Sequence, residues 1–291
     1  MTLCVGALAG SAYIAVSDLF LSSESGVVGR ESHFTKISPL GLRWLLSYSG
    51  NASDHLGVLT RLKINPTDEL SLAEVTEAVW EAYRAERSAR IRRYLTKFGI
   101  LSEESFTQNG RQWLGPERFL EVANVIESLW EYECLVGGFD KDDGYIFTVD
   151  ERGPKRREIP GFAAIGIGAE AALTVLNRTY HNWSNPPVVA AALLEAKFVA
   201  EVSPHIGRET TLWAVSPNGR GHFVKSEHID ELRDTWEIKS AEFIAQTATE
   251  IHAAWKKDPW DYMNEGRLGD GLTPDEIGEV GEVLEGPGPV G

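Results

Sequence analysis

Residues 2–18 read Thr2-Leu3-Cys4-Val5-Gly6-Ala7-Leu8-Ala9-Gly10-Ser11-Ala12-Tyr13-Ile14-Ala15-Val16-Ser17-Asp18. Thr2 to Ala9 is rich in β-formers, Gly10-Ser11 interrupts the run, and Ala12 to Ser17 is again apolar and β-branched. Two such runs about a Gly turn predict a β-hairpin at the start of the sequence. A Gly/Ser-rich stretch follows from Ser22 to Gly29. Arg43 to Tyr48 (RWLLSY) predicts the next strand, ended by Gly50-Asn51.

The pattern then turns helical. Ser71 and Glu74 form a capping-box pair, and Val75, Val79 and Tyr83 recur at helical spacing behind it. The basic run Arg84, Arg87, Arg90, Arg92, Arg93 and Lys97 reads as a solvated helix face balanced by Glu81 and Glu86, in preference to an RNA-binding helix. Gly99 to Gly115 predicts an ordered loop with a short turn. Pro116 suits the first position of another helix, with Phe119, Ala123, Ile126 and Trp130 as its apolar stripe. Strands return over Glu133 to Phe139 and Tyr145 to Val149, with Asp142-Asp143-Gly144 as their turn, and over Ala163 to Ile167. Helices are expected from Ala169 to Tyr180 and from near Pro187, the latter with Val189, Leu193, Ala196 and Ala200 on one face. Strands Thr210 to Val215 and Gly221 to Lys225 follow, joined by Pro217-Asn218-Gly219. This succession of strands and helices predicts an α+β fold of two largely antiparallel sheets served by two helical layers, a four-layer αββα sandwich over residues 1–225. The helical region of about 66–131 enlarges it. For residues 226–291 the expectation is one amphipathic helix (Ile244, Ala248, Ile251, Trp255) and a mobile acidic tail from Asn264.

Composition narrows the function. The 291 residues are 43% hydrophobic, enough for a full-sized core. The formal charge of -15 disfavours nucleic acid and anionic lipid as partners. Cys4 and Cys134 lie in no CxxC and in no cluster with zinc-ligand spacing, so they read as reduced core thiols of a cytoplasmic protein. The first residues carry no basic segment, and their short apolar run meets Asp18, which suits neither a signal peptide nor a membrane span.

Thr2, Asp18 and Lys36 say little singly. Together with Val5-Gly6, Lys36-Ile37 and Ser49-Gly50 they give a pattern that resembles the proteasome β-subunit family and its bacterial relatives, N-terminal-nucleophile (Ntn) hydrolases. Leu135-Val136-Gly137-Gly138-Phe139-Asp140 looks like that family's Gly-Gly-x-Asp strand. Phe162 to Gly168 looks like the turn into its third helix, and Ala196-Lys197 falls on its fourth. The resemblance spans Thr2 to about Lys225.

It implies a threonine-type amidohydrolase, most simply a peptidase acting on a peptide or small amide, with no metal or cofactor. A Thr hydroxyl needs a base within hydrogen-bond reach. In this family the α-amine freed by removal of Met1 supplies it, with a pKa of roughly 8. Lys36 would tune hydroxyl and amine by its charge, Asp18 would orient Lys36, and the Gly50 N–H would face the oxyanion. Glu201 and Ser203 would stand where the family orients the amine and the hydrolytic water, and Ser22, Tyr48 and Ala52 would border a pocket for a small or apolar side chain. The sequence departs from the pattern where Ile167 replaces a Ser within Gly-x-Gly, and where Gly207 lacks a Gly partner. Those departures keep two rivals open: a non-catalytic assembly subunit, and a non-peptidase amidase on the same fold. Homo-oligomerisation is expected through the helices Ala169 to Tyr180 and Val188 to Val202, aided by exposed Trp-rich stripes near Trp130 and Trp255.

Overall fold

The structure is a computed structural model and describes residues 2–21, 30–31, 35–65, 67–180, 185–203, 205–224 and 229–240. The elements run β1 (Leu3–Ala9), β2 (Ala12–Asp18), the short β3 (Phe20–Leu21) and β4 (Arg30–Glu31), β5 (Ile37–Leu40) and β6 (Trp44–Ser49). Four helices follow: α1 (Ala52–Leu62), α2 (Leu72–Leu95), α3 (Glu103–Leu114) and α4 (Pro116–Ser128). Then come β7 (Glu133–Asp140), β8 (Asp143–Asp150), β9 (Gly153–Arg156), β10 (Phe162–Gly166), α5 (Ala169–Thr179), α6 (Pro186–Ala200), β11 (Thr210–Val215) and β12 (Gly221–Val224). Residues 229–240 are helical. The chain divides into two compact units after Arg233.

Two five-stranded antiparallel sheets make the sandwich. One has the order β10-β1-β2-β11-β12 and the other β5-β6-β7-β8-β9. Helices α5 and α6 pack on β10, β1 and β2, while α2 reaches β8 and β9 and packs with α1. The layers are therefore helix, sheet, sheet, helix, as the sequence predicts. Between the sheets lie Cys4, Tyr13, Ala15 and Ile165 of one and Ile37, Leu45, Leu135, Phe139 and Ile146 of the other. On the outer side of the second sheet, Leu46, Tyr48 and Val136 meet Val58 of α1 and Val75, Val79 and Tyr83 of α2. Leu45 facing one core and Leu46 the other is the period-two alternation of a strand covered on both faces. That double covering explains why β2 is buried along its whole length and reads as an apolar run from Ala12 to Val16 before the polar Ser17 and Asp18. Tyr13 lies across the inter-sheet space: a Cβ on Gly137 of the facing sheet would stand 2.1 Å from its ring, so glycine permits the approach.

Several elements differ from the sequence expectation. The segment Gly99 to Gly115 is mostly helix: Ser102 caps α3 by accepting the Ser105 N–H, and Glu103 and Glu104 complement the helix N-terminus. Phe106 of α3 stacks on Phe119 of α4 at 4.8 Å, and both join Ile91 and Leu95 of α2 in a separate apolar cluster. Helix α1 is an addition to the expected elements: its capped start, Asn51-Ala52-Ser53-Asp54, follows β6 closely, and the Asn51 side chain accepts the Ser53 N–H at 2.9 Å. The β7–β8 turn is Lys141-Asp142, one residue earlier than expected, because Asp140 pairs with Asp143. Trp130 lies beyond α4 and is buried, edge-on to Tyr83 at 5.4 Å, so it presents no exposed stripe. The expected helix around Ile244 to Trp255 and the acidic tail lie outside the described residues.

Candidate functional site

Thr2 precedes β1, Asp18 closes β2, and Lys36 precedes β5. Three separate segments thus bring their polar side chains to one place, where all three are buried. The Lys36 ammonium donates to Thr2 Oγ1 at 2.6 Å and to Asp18 Oδ1 at 3.0 Å. Asp18 is held on both oxygens, since Oδ1 also accepts the Leu3 N–H at 2.9 Å and Oδ2 the Gly207 N–H at 3.3 Å. An ion pair out of water is costly unless its remaining hydrogen-bonding capacity is filled, and the two backbone donors help to fill it for Asp18. The Leu3 bond also ties the residue next to Thr2 directly to the carboxylate.

Glycine makes the other wall. Gly166 sits at φ +89 opposite Leu3, and a Cβ there would stand 2.1 Å from the Thr2 carbonyl oxygen and 2.8 Å from Ser49 Oγ. The backbone of β10 therefore approaches Thr2 more closely than any side chain would allow. Gly166 also lines a cavity of about 220 Å³ with Glu133, Thr148, Asp150, Arg157 and Ala169. Its N–H donates to Glu133 Oε2 at 3.4 Å. No sequence signal marked this cavity, because its lining comes from β7, β8, β10 and the segments after them.

The other expected site residues are distributed differently. Gly50 (φ +117) follows β6 directly, one residue beyond the Ser49–Glu133 pair. Ala52 opens α1 and is half-buried. Tyr48 has no exposed surface; its ring stacks on His55 of α1 at 3.8 Å, so it borders packed side chains rather than an open pocket. His55 is correspondingly embedded, with Nδ1 2.8 Å from the Tyr132 hydroxyl, and burial lowers its pKa from 6.5 to about 3. Ser22 lies outside the described residues. The Glu201 carboxylate is taken up by Lys197, one turn earlier on α6, and by Arg233 Nη2 at 3.0 Å. Among the described residues, those two cations are its ion-pair partners. Ser203 forms the turn after α6, its N–H donating to Ala200 O and its carbonyl accepting the Ile206 N–H, both at 3.1 Å. Ile167 is half-exposed.

No protein-family model matches the sequence, and no curated protein matches it. Solved structures do. Anbu (ancestral beta-subunit) from Yersinia bercovieri is similar with a TM-score of 0.60 at 14% identity, covering 84% of this chain and 97% of that one. Anbu in a helical assembly from Pseudomonas aeruginosa gives 0.58 at 14% identity, covering 84% and 96%. Anbu from Hyphomicrobium sp. strain MC1 gives 0.56 at 14%, covering 84% and 97%. At that identity the likeness is one of fold. The chain has the proteasome-like Ntn-hydrolase fold, and among the described residues no helix is long and apolar enough to cross a membrane.

Proposed function

We propose that the protein is a threonine-type N-terminal-nucleophile amidohydrolase, acting on peptides or small amides after Met1 is removed. The observation that carries this reading is the 2.6 Å contact between the Lys36 ammonium and Thr2 Oγ1, with Asp18 fixing the ammonium from the other side. A cation in contact with the hydroxyl favours its ionised form, and the freed α-amine of Thr2 takes its proton. Oγ1 then attacks the amide carbonyl carbon. The carbonyl oxygen becomes the oxyanion, which the Gly50 N–H stabilises. As the tetrahedral species collapses, the C–N bond breaks and the amine returns the proton to the leaving nitrogen. Water, deprotonated by the same amine, then hydrolyses the acyl ester and restores Thr2.

A cytoplasmic setting accords with Cys4 and Cys134, both buried and free. Self-assembly accords with the half-exposed Val188 on α6 and the exposed Val202 beyond it, and with the helical assembly formed by Anbu from Pseudomonas aeruginosa. Two observations favour the rival reading of a non-catalytic assembly subunit: Ile167 offers no hydroxyl, and Glu201 is committed to Lys197 and Arg233. Hydrolysis separates the two. The enzyme reading expects slow release of fluorophore from a small peptide amide, lost in Thr2→Ala. Equal release by wild type and Thr2→Ala contradicts it, and so does wild type that is processed to Thr2 yet inert on every amide offered.

A further inference from the structure

Two lysines rank among the largest fully buried side chains, Lys36 and Lys197. The mechanism uses the first and leaves the second unexplained. We propose that Lys197, with Glu201 and Arg233, positions the Thr2 site by gripping the 207–210 turn on which Asp18 rests; this rests on the reading of Thr2 as nucleophile.

An ammonium has three N–H donors, and Lys197 employs them on Gly207 O at 2.6 Å, Arg208 O at 2.9 Å and the Glu201 carboxylate. Arg233 grips the same turn from the 229–240 helix. Its Nη2 donates to the Arg208 carbonyl, to Thr210 Oγ1 at 3.0 Å and to Glu201 Oε1 at 3.0 Å. Two cations joined by one carboxylate therefore hold successive acceptors of residues 207–210. That turn is what meets Asp18: the Gly207 N–H donates to Oδ2, and Thr210 is the β-ladder partner of Asp18. The peptide units of residue 207 thus transmit the grip to Asp18, Asp18 holds Lys36, and Lys36 holds Thr2 Oγ1. Burying two cations where apolar side chains would fill the space stabilises little by itself. What the charges supply is direction, and a nucleophile displaced by an ångström loses much of its rate.

The charged groups facing Lys197 are Glu201 on its own helix, Arg233 on the 229–240 helix and Asp18 on β2. Burial lowers its pKa to about 8, Glu201 opposes this, Arg233 adds to it and Asp18 opposes it. The grip is therefore complete well below pH 8 and weakens as pH rises through that value.

The test uses the full chain and a β-lactone, whose carbonyl is attacked by Oγ1 as the ring C–O bond opens and the freed alkoxide is protonated. In Lys197→Met, the first-order acylation rate constant falls about tenfold or more while the half-saturating lactone concentration is unchanged. Lys197→Arg recovers most of the rate and loses the alkaline fall near pH 8. In Lys197→Met the Gly207 amide also exchanges with solvent about tenfold faster, while the β1–β10 amides do not. If Lys197→Met does not fold, Arg233→Gln, which leaves the Lys197–Glu201 pair in place, decides by the same two readouts. Unchanged acylation in the folded variant overturns the proposal while the Thr2 reading stands. Wild type that takes no lactone sinks the Thr2 reading instead. Gly207 exchange then judges the grip alone: unchanged rates overturn it, and faster exchange supports the seating of Asp18.

Discussion

Thr2, Asp18 and Lys36 were legible as a constellation only through the resemblance to the proteasome β-subunit family, because a Thr, an Asp and a Lys beside strands say little singly. Their mutual geometry was not legible, nor was the glycine that admits it. Gly166 carries a prediction of its own: in Gly166→Ala the new methyl meets the Thr2 carbonyl in a backbone region that alanine disfavours. We expect acylation of Thr2 to fall more than tenfold and stability to drop by about 1–3 kcal/mol, read by lactone labelling and urea denaturation. A variant as reactive and as stable as wild type would mean that β10 does not press on Thr2. Glu201 shows the limit of the resemblance. The family pattern after the fourth helix implies a group orienting the amine there, yet a lysine four residues earlier on α6 pairs with it. His55 adds a pH signature. Its folded pKa of about 3 lies below the ordinary 6.5, so the stability it contributes is fully present above pH 6.5 and is lost as pH falls towards 3. That loss is on the order of 3–5 kcal/mol. His55→Phe should lose markedly less stability than wild type between pH 7 and pH 4, and equal losses would contradict the assignment.

At the scale of elements, what could be read was decided by how each helix obtains its stability. Helix α2 was legible because its cap is written locally: Ser71 Oγ accepts the Glu74 N–H at 3.3 Å and Glu74 Oε2 accepts the Ser71 N–H at 2.8 Å. Ser71→Ala should cost about 1 kcal/mol in urea denaturation; no change would show that tertiary packing alone sets where α2 begins. Helix α1 was not legible because its buried face includes Asp54 and His55 as well as Val58 and Leu62, and only the partners reveal why those polar groups point inward. Arg90 of α2 pairs with Asp54, and Tyr132 with His55. Helix α3 likewise depends on Phe119 of α4 to make sense of Phe106. The strands were easier. Sheets covered on both faces demand apolar residues at nearly every position, and β1, β2, β6 and β7 supply them.

For the whole molecule, the sandwich leaves Val188 and Val202 exposed on and just beyond α6. We expect self-association through this side, so sedimentation at micromolar concentration should show species heavier than the 32.1 kDa chain, and a purely monomeric protein would contradict it. The central claim is that a processed Thr2 is a nucleophile activated by Lys36, and the intact protein can report it in one measurement. Purified protein is incubated with the β-lactone, weighed by mass spectrometry and mapped by peptide. The account predicts a chain lacking Met1 that carries one acyl group on Thr2, with no such adduct in Thr2→Ala or in Lys36→Met. A chain that has lost Met1 and remains unmodified, or an adduct that persists in Thr2→Ala, would contradict it.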